Sequence, residues 1–170
     1  MRRPVLLVLV AVLLRGVAAE ATSVRALTLG QLVDRAHRIV HGRCVAVEEV
    51  REAGGGLPVT EVTVAVDETL KGPAERRIVV RQLGGRETPA LGPRYAVGEE
   101  LVLFLHRPGR SGLTSPVGLW QGKLSVVRAA AGAARAPRAL AAGGSQEAAR
   151  GVDLDGLLAT VRALVGGGSR

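Results

Sequence analysis

The stretch from Val59 to Leu70 constrains the fold more than any other part of the chain. Thr60, Val62, Val64 and Val66 fall on one face, and Glu61, Thr63, Ala65 and Asp67 on the other. Side chains alternate across a strand with a period of two, so this pattern predicts a strand buried on one face. Gly54-Gly55-Gly56 precedes it and Lys71-Gly72-Pro73 stops it. Such a strand needs neighbours to pair its backbone, and the flanking sequence supplies them. Ile39 to Val50 reads as a strand whose Val40, Cys44, Val45, Ala46 and Val47 are shared between two faces. Gly42 inside it marks a bulge or sharp bend. Arg77 to Leu83 is a third strand, closed by Gly84-Gly85. Leu101-Val102-Leu103-Phe104-Leu105 is apolar on both faces and predicts a central strand covered on both sides. Val117–Trp120 and Lys123–Val127 are two further strand pieces. The break at Gln121-Gly122 fits either a tight hairpin or one bulged strand.

Helices flank this β-rich body. Thr28 can cap a short helix through Leu29, Leu32, Val33 and Ala36, with Gln31 as a capping-box partner. Residues 129–151 are rich in Ala, Gly and Arg with little amphipathic order, and read as a low-complexity connection. A last helix over residues 152–166 starts at Asp153 and carries Leu154, Leu157, Leu158, Val161, Leu164 and Val165 on one stripe. Gly166-Gly167-Gly168 closes it. A helix this short and this apolar must dock, either on its own sheet or on a partner. Five or six short strands, one long and bent, predict a mainly β fold: a small OB-like barrel with flanking helices.

The N-terminus carries a targeting pattern. Arg2-Arg3 precedes ten unbroken apolar residues, Val5 to Leu14, and Val17-Ala18-Ala19 offers small residues for cleavage. A spanning helix needs roughly 20 apolar residues, so the run predicts a cleaved signal peptide over residues 1–19, with cleavage after Ala21 as the alternative. The mature domain then begins at residue 20 and runs to 128, in a secreted or periplasmic protein. Losing Arg2, Arg3 and Arg15 and no acid takes the net charge from +8 to +5.

Composition narrows the function classes. Trp120, Tyr95 and Phe104 are the only aromatics, too few for a base-stacking surface, and the basic residues are spread along the chain. Nucleic acid is therefore not an expected partner. The single cysteine, Cys44, excludes an intramolecular disulfide and any multi-cysteine zinc site.

The segments Ala36-His37-Arg38-Ile39-Val40-His41-Gly42, Val62-Thr63-Val64 with Glu68-Thr69-Leu70-Lys71-Gly72, Gly98 to Leu105, and Gln121-Gly122-Lys123-Leu124 carry a resemblance. The stretch Ala36–Arg128 resembles a family of uncharacterised secreted bacterial proteins. In order it looks, more distantly, like the OB-type barrel of netrin-like domains and tissue inhibitors of metalloproteinases. The resemblance implies a fold and carries over no active site. Those inhibitors act through a disulfide-tethered N-terminal cysteine, which this chain lacks.

Candidate chemistry is sparse. Asp34, His37, His41 and Cys44 would share one stripe of a continuous helix and could ligate zinc. Ile39-Val40 and Gly42 argue that the helix ends before that, and in a strand His41 and Cys44 face apart. His37, His41 and Cys44 are thus the metal candidates, set against the reading of Cys44 as a small buried apolar residue. His106, with Glu99 or Glu100, is the candidate general base of a hydrolase, although no nucleophile elbow or His-Glu-x-x-His pattern is present. Trp120 is the candidate ligand or partner contact. No cofactor is implied. The residues point to a non-enzymatic binding module whose partner is a protein or a cell-envelope polymer. The alternatives are a small hydrolase or metal-binding protein using His106 or His37/His41, and a structural envelope protein.

Overall fold

A computed structural model describes residues 26–51, 56–85, 92–128, 134–136 and 152–168. The expected signal peptide lies outside the described residues. The chain enters through helix α1 (Leu29–Arg35). Thr28 caps it with a complete capping box: its hydroxyl accepts from Gln31 N at 3.2 Å, and Gln31 Oε1 accepts from Thr28 N at 3.0 Å. Four strands follow: β1 (Arg38–Val50), β2 (Val59–Lys71), β3 (Arg77–Leu83) and β4 (Glu100–Leu105). β5 (Lys123–Ser125) completes a five-stranded antiparallel sheet of order β3-β2-β1-β4-β5.

Strand β1 is shared between β2 and β4, and it bends. Its pairing with β2 shifts register at Ile39/Val40, His41/Gly42 and Cys44/Ala46. Each extra residue in a ladder kinks the strand and sharpens its twist. Gly42 is required at one of these points, because a Cβ there would overlap the Ala65 carbonyl oxygen on β2. The bend lets the sheet cover its own inner face. Cys44, Val62, Val64, Val80, Leu101 and Leu103 are fully buried there, in a cluster drawn from β1–β4 and joined by Tyr95.

The expected barrel is not closed by strand pairing. β3 and β5 stand at the two edges of an open sheet. β5, three residues long, pairs with β4, and no β5–β3 ladder forms among the described residues. The β4–β5 loop bridges the gap at one point, where Thr114 N donates to Arg81 O at 2.8 Å and Arg81 Nη1 to Ser111 O at 3.1 Å. The strand expected over Val117–Trp120 is also absent. Gly118 and Leu119 have φ of 65° and 63°, which extended backbone excludes. A run of turns stands there instead. Gly122 then packs against the Phe104 and Val117 backbone, 2.8 and 2.6 Å from where a Cβ would sit.

The outer face of the sheet is covered by helices. Val102 and Phe104 of β4 join Leu32 and Val33 of α1 in a second cluster. Helix α2 (Leu154–Gly167) completes it with Leu154, Leu157, Leu158 and Val161. Strand β4 is therefore covered on both faces, as its apolar run implies. Helix α2 docks on its own sheet, and Leu164 at its far end stays exposed. Asp153 caps it, accepting from Gly156 N at 2.9 Å. Arg162 clamps Glu68 of β2 with two contacts of 2.7 Å. The Ala/Gly-rich stretch before it holds a strand, β7 (Ala134–Ala136), between β6 (Val127–Arg128) and β8 (Val152–Asp153). Among the described residues no helix is long and apolar enough to cross a membrane.

Candidate functional site

The residues singled out from sequence do not converge. His37 is half-buried just beyond α1, and its backbone N donates to Leu105 O at 2.8 Å. His41 projects from the outer face of β1, with Nε2 3.0 Å from Glu100 Oε1. Cys44 is fully buried on the inner face. Burial pushes its thiol up, reinforced by the Glu99 carboxylate. Asp34 is exposed on α1. Among the described residues no three His, Cys, Asp or Glu side chains are grouped to hold a metal. His106 is exposed and follows Leu105, at the end of β4 opposite to Glu99 and Glu100. At about 3.3 Å per residue, a strand of this length separates them by nearly 20 Å. Trp120 is half-buried beside the left-handed Leu119 and away from any cleft described below.

The structure assembles a different set of polar side chains at the inner end of the sheet. The turn before β4 is pinned to β1, because Gly98 N donates to Cys44 O and Cys44 N to Glu99 O, both at 2.8 Å. That places Glu99 over β5. Lys123, 9% exposed, donates through Nζ to Glu99 Oε1. Ser125 donates to the same oxygen, and Ala96 N donates to Glu99 Oε2 at 3.1 Å. Nζ also lies 5.0 Å from the centre of the Tyr95 ring, within the reach of a cation–π contact. Burial favours a protonated Glu99, but the hydrogen bonds from Lys123, Ser125 and Ala96 outweigh it and hold the carboxyl below its ordinary range. A carboxylate held low is a weaker base than a free one. The network plugs the end of the sheet with an ion pair whose Lys123 is 9% and Glu99 17% exposed.

Beside this plug an open cleft of about 1050 Å³ lies between the ends of β1, β2 and β3 and the segment leading to β4. Glu48, Glu49 and Thr60 form one wall; Gln82, Arg94 and Tyr95 form another. Val47, Pro93 and Val97 supply apolar surface. Two buried polar atoms in these walls, Gln82 Oε1 and the Tyr95 hydroxyl, have no hydrogen-bond partner among the described residues. An unpartnered buried group costs about 1–3 kcal/mol. Gln82 Nε2 donates to Pro93 O at 3.2 Å. Burial pushes the Tyr95 phenol well above its ordinary range, and the Glu99 carboxylate adds to that.

Sequence reasoning missed Gln82, Tyr95, Lys123 and Ser125, and offered Glu99 only as a partner of His106. One signal was present: Ile78, Val80 and Gln82 share a face of β3, so Gln82 is a polar residue in a buried register. The Glu99–Lys123 pairing had no such signal, because it joins residues 24 apart through a turn whose shape is not local. A scan against protein-family models and a search of curated proteins both find no match to this chain.

Proposed function

We propose that the chain is a non-enzymatic binding module, secreted or periplasmic, that holds a protein or a cell-envelope polymer in the cleft at the end of its sheet. One observation carries this reading: Gln82 and Tyr95, each with a buried polar atom that has no hydrogen-bond partner among the described residues, both line a single cleft. A concave site with apolar surface and a few placed polar groups is the usual form of a ligand site. The pairing of Glu99 with Lys123 supports reading the adjacent plug as a support for that site.

The kinship with OB-type barrels belongs to the same proposal. The order β3-β2-β1-β4-β5, with a long bent β1 shared between β2 and β4, supports it, and so does the bridge from the β4–β5 loop to Arg81. OB folds are themselves partly open barrels. Export is supported by the basic, apolar and small-residue order of residues 1–19. Intact mass of exported protein should place the first residue at Glu20 or Thr22; retention of Met1 to Arg15 would refute export with cleavage.

The test of binding uses the exported protein and the washed, insoluble envelope fraction of the cells that make it. Wild type should co-sediment with that fraction. The double variant Glu48→Arg/Val97→Arg, which crowds the cleft from two exposed positions, should remain in the supernatant. Equal sedimentation of both proteins, or of neither, rejects the cleft as the site.

A further inference from the structure

We propose that a basic surface at the start of β3, at the opposite end of that strand from the cleft, binds an anionic polymer of the cell envelope. The basic residues are spread along the sequence, and the fold gathers four of them. The chain leaves β4 as a hairpin, in which His106 N donates to Ser115 O at 3.0 Å and Gly109 N to Leu113 O at 2.8 Å. The return limb of this hairpin is fastened to β3 at Arg81, through Thr114 N and Ser111 O. The chain of antiparallel pairings β3-β2-β1-β4 makes β4 antiparallel to β3. The return limb is antiparallel to β4, so it runs alongside β3 in the same direction. Residues before Ser111 therefore lie toward the start of β3. That brings Arg107 and Arg110 to the side of Arg77 and of Arg76, whose carbonyl accepts from Val66 N at 2.9 Å.

These four side chains carry little compensation. Arg76, Arg77, Arg107 and Arg110 are all exposed and form no ion pair among the described residues. Two carboxylates alongside are engaged: Glu61 holds Arg81 at 2.8 Å and Glu75 holds Arg38 at 2.7 Å. Asp67, exposed and one residue beyond Val66, is the opposing charge left among the described residues. No acid occurs from Leu101 to Arg128. Four cations facing one carboxylate give a positive local potential, which attracts a partner bearing several negative charges. Each guanidinium fork matches the paired oxygens of a carboxylate or phosphate. Charges that guard an edge strand against pairing would account for Arg77, but not for Arg107 and Arg110, which stand on the hairpin. A bilayer is the poorer match, because stable attachment to it takes an apolar anchor besides charge. Val79 is the large apolar side chain exposed on β3, and the hairpin exposes none among the described residues.

The experiment is titration of the exported protein with polygalacturonate, a glycan chain carrying a carboxylate on each sugar, at rising salt. Neutral dextran and phosphatidylglycerol vesicles are the comparators. Saturable binding of polygalacturonate and none of dextran is expected, with log K falling linearly in log salt. The triple variant Arg77→Gln/Arg107→Gln/Arg110→Gln should reduce that slope by about 3, one for each charge removed, and weaken binding about tenfold or more at low salt. Arg35→Gln, on α1, should leave the slope unchanged. Asp67→Asn removes the opposing carboxylate and should bind more tightly than wild type, a gain that does not depend on how the triple variant folds. Absence of polygalacturonate binding, an unchanged slope in the triple variant, or no gain in Asp67→Asn overturns the proposal. So does a slope loss in Arg35→Gln as large per charge as in the triple variant, because net charge alone would then be the attraction. Vesicle binding in place of polygalacturonate, lost in the triple variant, overturns it in favour of a membrane. None of these outcomes bears on the cleft, which co-sedimentation of Glu48→Arg/Val97→Arg tests separately.

Discussion

At the scale of single residues, burial and pairing set the magnitudes. Phe104 is fully buried in the outer cluster, so Phe104→Ala should cost roughly 3–5 kcal/mol through lost transfer energy and the cavity left behind. A chemical-denaturation midpoint that barely moves would show that β4 is not central. Glu99 couples stability to pH. Its folded carboxyl titrates below the ordinary value of 4.5, so its contribution is fully present above that pH. It is lost as pH falls through the lower folded value. Glu68, held low by Arg162, adds a contribution of the same sign. Stability should therefore decline on acidification below about pH 4.5. Glu99→Gln should flatten that decline, and an unchanged acid slope in the variant would show that the plug carries no such linkage. At neutral pH, Glu99→Leu leaves the buried Lys123 ammonium without its counter-charge, at a cost of about 3–5 kcal/mol. Urea unfolding measures it.

Among the elements, helix α2 is the clearest case of tertiary stabilisation. Fourteen residues form a marginal helix in isolation, because nucleation is costly and short propagation does not recover it. Its stability comes from burying Leu154, Leu157, Leu158 and Val161 against α1 and the outer sheet face. Truncation after Arg150 should lower Tm and expose those partners to a hydrophobic dye. A truncated protein with the full Tm and no dye binding would show that docking contributes nothing. The Arg162–Glu68 clamp is half-exposed on the arginine side, so it orients the helix more than it stabilises it. Arg162→Ala should lower Tm far less than Leu158→Ala in the same melt, since exposed pairs are worth little. A loss as large as that of Leu158→Ala would contradict this ranking.

On the scale of the whole molecule, one sheet makes two cores. The outer face is covered by helices and the inner face by the sheet's own curl, with Tyr95 at its end. The curl depends on the bulges of β1. A side chain at Gly42 collides with backbone, which cannot rotate away as a side chain can. Gly42→Val should therefore destabilise by about 1–3 kcal/mol or more, the range of overpacking. Near-ultraviolet circular dichroism of the Tyr95 environment should change with it. Wild-type spectrum and stability in that variant would show that β1 bends without its glycine.

What the chain alone determined is the set of properties carried by local periodicity. The alternation of Val59–Leu70, the two-faced run Leu101–Leu105, the Thr28 and Asp153 caps and the apolar stripe of α2 are all legible, because each is a relation between residues a few positions apart. Closure of the sheet was not legible, since it turns on whether the edge strands β3 and β5, far apart in sequence, come to pair. Nor was the site. His37, His41, Cys44, His106 and Trp120 stood out by residue type, yet they lie on different faces and ends of the sheet. Gln82, Tyr95, Glu99, Lys123 and Ser125 are ordinary in sequence and become a plug and a cleft wall only when β1, β3, β5 and the turn before β4 are brought together. Chemistry between residues distant in sequence is set by pairing register and loop path, and those are decided by burial of the whole sheet.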